Sequence, residues 1–526
     1  MPNLLQACAI NEVFPEGMKT IAYALEYDAG VSPAWLSAVR FEVIDHSYEP
    51  KIPPQKRTIQ SIYISDRPAA AGQLSGAAPE TEPADAGICD GRYVILMTDL
   101  SETAAFAVGN YKMDGSFNPY GHPPTGFPDP NDRGPMGPGP GGPGSGPAGT
   151  GGPGPAGGPP PDMEYCGPKP LNVTIRQLPA QASEDAGIAI SPPGGAGSTS
   201  GAEGSCGGDA VRPQEVTCTT YTCRQLEGFE ERSWKGLPYQ LYVPQPYDPS
   251  VRYPLVLFIP DAGGRGENPL TPLVQGIGGV CWASPEDQAK HPCFIVCPCY
   301  GAGNILVNDD FSYSEKLYLA KEILDQVAQE FSIDTDRIYT TGQSMGCMSS
   351  CQLMIEWPEY FAGAMLVAGQ WDPEKCGKAM KNQNLWILVS ENDRKAHGGM
   401  DAVTGAIEAN GGCVVRRVWN ARDSVEELDL CAEEMNAAAQ AEGANVRYVM
   451  FEGDSVVPEG IHPGPGNNHT NTWRVAYQID AVRDWLFTAR RPGAAAVSAA
   501  AGQEGSAGTA DTGCAGKSRN VTPAAG

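Results

Sequence analysis

Apolar and polar positions alternate from residue 21 to 27, where Ile21, Tyr23, Leu25 and Tyr27 are separated by smaller or polar residues. A period of two is the mark of a half-buried strand, because successive side chains point to opposite faces. Similar short runs follow at 41–44, 58–65, 92–98 and 171–178, with turn-rich segments between them. Five or more such strands without helical periodicity predict a small all-β sandwich over residues 10–178. Past about residue 216 the pattern changes. Runs that are nearly continuous in apolar residues, at 239–243, 253–260, 293–298, 337–341, 361–368, 385–390 and 446–451, alternate with amphipathic stretches. Between Ser314 and Phe331, the side chains of Leu317, Ala320, Ile323, Leu324, Val327 and Phe331 share one helical face. Buried strands alternating with helices predict an α/β domain over 216–490, a doubly wound, mostly parallel sheet covered on both sides.

Composition adds the connections. Residues 66–90 are rich in Ala, Pro and Glu, and residues 118–168 are dominated by Gly and Pro. The second stretch fails as collagen, because Gly134-Pro135-Met136 and Gly137-Pro138-Gly139 are followed by Pro140, so glycine does not hold every third place. Both read as disordered insertions in the sandwich, residues 179–215 as a flexible linker, and residues 491–526 as a disordered tail.

A formal charge of −26 over 526 residues argues against a nucleic-acid partner, whose phosphates need clustered Lys and Arg, and against adsorption to an anionic membrane. The longest apolar runs are too short to span a bilayer. Residues 1–14 hold no basic segment followed by an apolar core of signal-peptide length, which favours the cytoplasm. Export of a chain whose start has been trimmed is the alternative. The 16 cysteines are sparse for a disulfide scaffold. They lack CxxC…CxxC spacing, so no metal is expected. They read as small buried hydrophobes, with a few bridges among residues such as Cys206, Cys218 and Cys223.

The candidate chemistry lies at 337–347, where Arg337-Ile338-Tyr339-Thr340-Thr341 leads into Gly342-Gln343-Ser344-Met345-Gly346 and then an apolar helix. A serine on a sharp strand-to-helix turn exposes its hydroxyl, and the flanking glycines leave room where the arms of the turn approach. The helix start directs amides and the positive dipole end toward the place where an oxyanion would form. Such a serine needs a base, and the base needs an orienting carboxylate. The chain order Ser, Asp or Glu, His leaves His397, His462 and His469 among six histidines. Asp393 is the expected acid, in the turn Glu391-Asn392-Asp393 at the end of a buried strand, with Glu391 as the near alternative. His469 is the expected base, in a polar loop just before a helix beginning near Thr472. His462 lies in a Pro/Gly-rich loop, and His397 falls only four residues past Asp393. Oxyanion donors are expected from the amides of Met345 and Ala262, with Gly263 second to Ala262 in the loop 260–266.

These residues carry a resemblance. Residues 253–259 with Ala262-Gly263 and Arg265-Gly266, residues 336–346, the run 386–393, and His469 with Trp473 and Asp484-Trp485-Leu486-Phe487 are similar to an α/β-hydrolase group of predicted peptidases and phospholipase/carboxylesterases. Residues 24–28, 57–59, 63–68 and 91–96 resemble the Ig-like N-terminal domain that precedes some of these esterases. The resemblance implies a serine esterase acting on a small-molecule ester without metal or cofactor, with an Ig-like domain available for shaping the entrance or for oligomeric contacts. The group commonly has His-Gly where this chain has Pro260-Asp261, and a carboxylate facing the site there would disfavour an anionic transition state. A serine peptidase or a feruloyl or acetyl carbohydrate esterase would use the same triad. A degenerate hydrolase serving as a binding protein is the reading from another class.

Overall fold

Alternation along the strand Gly17–Val31 sends Tyr23, Leu25 and Tyr27 into one buried cluster and Ala22 and Ala24 into another. This follows from the pleat. In the computed structural model, which describes residues 2–47, 49, 53–70, 91–112, 117–118, 163–180, 211–264, 268–301 and 306–491, that strand is the middle of a sandwich. One sheet runs in the order Tyr221–Cys223, Leu4–Phe14, Gly17–Val31, Gly91–Thr98 and Ile59–Ser65. The facing sheet runs Gln214–Cys218, Val173–Pro179, Val39–Asp45 and Gln55–Arg57. Phe41, Val43, Val94, Leu96, Val173 and Ile175 close the core between them.

The sandwich is larger than residues 10–178. Its first strand starts at Leu4, and two strands lie beyond the low-complexity stretch. Gln214–Cys218 pairs antiparallel with Val173–Pro179, and Tyr221–Cys223 pairs parallel with Leu4–Phe14. Both were hard to see because they are short edge strands with few apolar residues, Val216 and Cys218 alone in the first. Cys218 and Cys223 are buried free thiols, so no bridge joins them, and Cys206 lies outside the described residues. Met163–Pro168, inside the range read as an insertion, is a strand paired with Val108–Lys112. The other parts of the expected insertions, linker and tail fall mostly outside the described residues.

The second domain is built on a nine-stranded sheet in the order Phe229–Trp234, Leu237–Tyr242, Phe294–Pro298, Tyr253–Ile259, Ile333–Gln343, Gly363–Val367, Leu385–Ser390, Val446–Phe451 and Val414–Trp419. The first two pairings are antiparallel and the rest parallel. All seven residues of Tyr253–Ile259 are buried. Leu255, Leu257 and Ile259 pack on one face of the sheet, Val256 and Phe258 on the other. At roughly 1.5–3 kcal/mol for each large apolar side chain buried, this strand and its neighbours fix the sheet far more firmly than its edges do. The two domains share a core: Val13 and Met18 of the sandwich, with Val108 of the small sheet beside it, join the cluster of Val256, Phe258, Leu273 and Val274.

Candidate active site

Ile333–Gln343 is the central strand, and Met345–Glu356 is the helix that leaves it. Between them Ser344 has φ 52° and ψ −115°, a conformation an L-residue adopts only where the surroundings impose it. The imposition is steric. A Cβ on Gly346 would lie 1.8 Å from the Ile259 carbonyl oxygen, and one on Gly342 would lie 2.5 Å from the Gly346 carbonyl carbon. The Ser344 amide donates to the Val367 carbonyl at 2.9 Å, tying the turn to the next strand.

The structure brings Ser344, His469 and Asp393 into one line. Ser344 Oγ and His469 Nε2 are 2.8 Å apart, and His469 Nδ1 and Asp393 Oδ2 are 2.5 Å apart. Asp393 follows Leu385–Ser390 as the N-cap of the helix Arg394–Ala409, accepting from the Ala396 amide, and is 4% exposed. His469 does not precede its helix: it lies inside Pro465–Ala476, which opens with proline at its first position. The first turns carry Asn468, Thr470, Asn471 and Thr472 as buried polar residues, so apolar periodicity begins only at Trp473. The indole of Trp473 stands edge-on to the imidazole, with centroids 5.1 Å apart. Burial alone would push the His469 imidazole down. The Asp393 charge and hydrogen bond, then the charge of Asp261, outweigh it against Lys395, so His469 is raised above its ordinary value.

The alternatives stand elsewhere. His397 Nδ1 contacts the Glu391 carbonyl and its Nε2 faces Asp401, while Glu391 accepts from the Gly453 amide. The His462 carbonyl accepts from Asn467 Nδ2 at 2.8 Å.

After Tyr253–Ile259 the chain enters a short 3-10 turn at Ala262–Gly264. The Gly263 amide donates to Asp261 Oδ1 at 2.6 Å, and the Gly264 amide to the Asp261 carbonyl at 3.0 Å. Gly263, the second choice for an oxyanion donor, therefore spends its N–H within the turn. Asp261 is 5% exposed, and its Oδ2 accepts from Gln343 Nε2 at 2.9 Å. Its carboxylate thus ties the turn at Ala262–Gly264 to the residue before Ser344. Gln275, from the segment against which the sandwich hairpin at Gly17 packs, donates to the Gly263 carbonyl. Met345 is the first residue of its helix, where an amide has no intrahelical acceptor. Arg265 and Gly266 lie outside the described residues.

Two polar residues that sequence reasoning passed over flank the line. Asn468, fully buried, accepts from Ser390 Oγ at 2.9 Å and donates to Asp454 Oδ1 at 2.7 Å. Asn392 donates to the same oxygen at 2.8 Å. An asparagine in a turn, like Asn392, or in the polar opening of a helix, like Asn468, adds nothing to an apolar period, so nothing in the sequence alone singles them out. Among the described residues, no group of three or more His, Cys, Asp or Glu could hold a metal ion, and no helix is long and apolar enough to cross a membrane.

A serine, an imidazole and a carboxylate aligned at the carboxyl ends of neighbouring strands, on a sheet of this order, define an α/β hydrolase. Residues 6–108 match the family model described as "Esterase Ig-like N-terminal domain", and residues 308–476 match the one described as "Putative esterase". The chain thus joins a region similar to the Ig-like N-terminal domain of esterases to a region similar to the esterases themselves. A solved thermostable esterase superposes with a TM-score of 0.60 over 92% of this chain and 100% of its own, at 20% identity. Poly(3-hydroxyalkanoate) depolymerase C of Paucimonas lemoignei is 28% identical over 126 residues. That alignment spans 21% of this chain and 30% of the depolymerase, so the chain matches less than a third of that relative's length. The family match and this relative both support hydrolysis of esters.

Proposed function

We propose that this protein hydrolyses carboxylic esters through an acyl-enzyme formed on Ser344. The observation that carries the reading is the unbroken line from Ser344 Oγ through His469 to Asp393, with contacts of 2.8 and 2.5 Å. In this reading His469 Nε2 takes the hydroxyl proton as Ser344 attacks the ester carbonyl, then returns it to the departing alcohol. Water repeats the sequence to release the acid. Asp393 holds the imidazole in the tautomer that leaves Nε2 able to accept. The amides of Ala262 and Met345 receive the oxyanion, each contributing up to about 3 kcal/mol to the transition state. The Asp261 carboxylate accepts hydrogen bonds from Gly263 and Gln343, which supports a role in shaping the oxyanion loop.

The assembled line argues against a degenerate binding protein. The depolymerase relative acts, by its name, on a polyester, whose linkage is also a carboxylic ester. A peptidase or a carbohydrate esterase would differ in the pocket rather than in the triad. The test is turnover of a p-nitrophenyl ester chain-length series by the parent and by Ser344→Ala. The variant should lose at least about a thousandfold in kcat and should no longer be labelled by a fluorophosphonate. Equal turnover by the two proteins removes Ser344 from the chemistry.

A further inference from the structure

The acid and the base reach one another from distant parts of the chain, on elements that share no backbone pairing around the contact. Asp393 ends the turn after Leu385–Ser390, and His469 sits in the second turn of Pro465–Ala476. A third segment, the turn after Val446–Phe451, lies against both. It is laced to the first by the Glu391 amide donating to the Phe451 carbonyl at 2.9 Å and the Gly453 amide donating to Glu391 Oε2 at 2.7 Å. At its tip one carboxylate oxygen, Asp454 Oδ1, accepts from Asn392 Nδ2 at 2.8 Å and from Asn468 Nδ2 at 2.7 Å. Asn392 immediately precedes Asp393, and Asn468 immediately precedes His469.

We infer that Asp454 is a positioning residue which, through Asn392 and Asn468, holds the acid and the base of the esterase site in register. The inference rests on the triad reading above and deepens it. Asn468 is well suited to transmit such a constraint. It is fully buried, its Oδ1 accepts from Ser390 Oγ at 2.9 Å, and its Nδ2 also reaches the Gly464 carbonyl at 3.1 Å. The amide cannot turn without breaking several bonds at once. Asp454 makes no ion pair among the described residues. Its hydrogen bonds from Asn392 and Asn468 hold its carboxyl below the ordinary range, so the oxygen is charged at neutral pH and both bonds are charge-assisted. Loop packing alone would be served by any side chain of that size. Two donors converging on one oxygen, each beside a member of the pair, form a device for fixing a distance.

The convergence on a single oxygen makes the test specific. Asp454→Ala removes the acceptor, whereas Asp454→Asn keeps a carbonyl oxygen that can receive both bonds. Asp454→Ala should lower kcat for a p-nitrophenyl ester on the order of tenfold to a hundredfold with KM nearly unchanged, as expected for a small misplacement of the reacting groups. Asp454→Asn should recover most of that loss. The acid limb of kcat/KM should move to lower pH in the alanine variant, because a looser Asp393 contact holds His469 less strongly against burial and Lys395, leaving Asp261 as the remaining raising charge. The far-downfield proton resonance of the His469 Nδ1–Asp393 hydrogen bond should broaden or vanish in Asp454→Ala and persist in Asp454→Asn. Asn392→Ala should give a smaller loss of the same kind, and none further when added to Asp454→Ala. Alanine and asparagine variants impaired alike, or an alanine variant with parental kcat and an unchanged resonance, overturn the inference. Failure of the esterase reading would show separately, as ester turnover by the parent that survives Ser344→Ala. The resonance reports the register of the pair whichever way that experiment falls.

Discussion

Ser344 and His469 stand 2.8 Å apart, yet different forces put them there. The serine is placed by backbone packing: a positive φ, glycines that admit no Cβ on either side, and an amide pinned to Val367. The histidine is placed by side chains, with Asn468 bonded to Ser390 and Asp454, Asn392 bonded to Asp454, and Trp473 against the ring. Steric placement is stiff and fails abruptly, because a clash of an ångström has no small remedy. Placement by hydrogen bonds fails by degrees, since each bond has a modest net worth of about 0.5–1.5 kcal/mol. The two halves should therefore answer differently to substitution.

Gly346→Ala is the sharpest way to test the stiff half. Its Cβ would meet the Ile259 carbonyl oxygen at 1.8 Å, and that oxygen belongs to a buried central strand. The elbow must shift or the strand must, so the loss of kcat/KM should be at least about a hundredfold with a clear drop in Tm. A soluble, fully active alanine variant would show that the turn is not sterically set. Asp261 comes next, as the side chain on which the serine half depends. Asp261→Ala frees both the Gly263 amide and Gln343, and should cost up to about 3 kcal/mol in the transition state, roughly a hundredfold in kcat. Asp261→Asn keeps an acceptor for the Gly263 amide and should lose far less. If the two variants are equally impaired, the carboxylate acts through its charge and not through the turn.

The same contrast decides how much was legible beforehand. Steric devices leave residues of a definite kind at definite spacing, so Gly342, Ser344 and Gly346 were readable, as were the central strands, whose two buried faces demand continuous apolar runs. Edge strands such as Phe229–Trp234 and Val414–Trp419 were not, because Glu230, Glu231, Arg416 and Arg417 interrupt them where the sheet meets water. The helix holding His469 was placed too late for a related reason. Its first turns bury asparagines and threonines in a polar network, and periodicity of apolar residues cannot register that. The Pro260-Asp261 departure was visible but its sense was not. Only the fold turns that carboxylate onto Gly263 and Gln343.

In the hydrogen-bonded half, Ser390→Ala should be graded rather than catastrophic. It removes the donor to Asn468 Oδ1 while both residues remain buried, leaving an acceptor without that partner. A stability loss of about 1–3 kcal/mol, measured by urea unfolding, should accompany a severalfold fall in kcat. A loss of activity as steep as that of Gly346→Ala would erase the distinction between the halves.

The smallest expected effect is also the one with opposite signs in two measurements. Burial lowers the His469 imidazole and Asp393, then Asp261, raise it further than that, with Lys395 opposing, for a net upward shift from 6.5. Attack needs the neutral ring, so the acid limb of kcat/KM should lie above that ordinary value. The linkage to folding runs the other way. A group whose folded value exceeds its unfolded one contributes stability that is fully present below the unfolded value and is lost as pH rises through the folded value. Across that window activity should climb while the contribution of His469 to Tm declines. Asp261→Asn should draw the limb downward by removing a raising charge, and should narrow the window in which the two trends oppose each other. A limb that stays in place would mean that Asp261 is screened from the imidazole, leaving Asp393 alone to hold the proton.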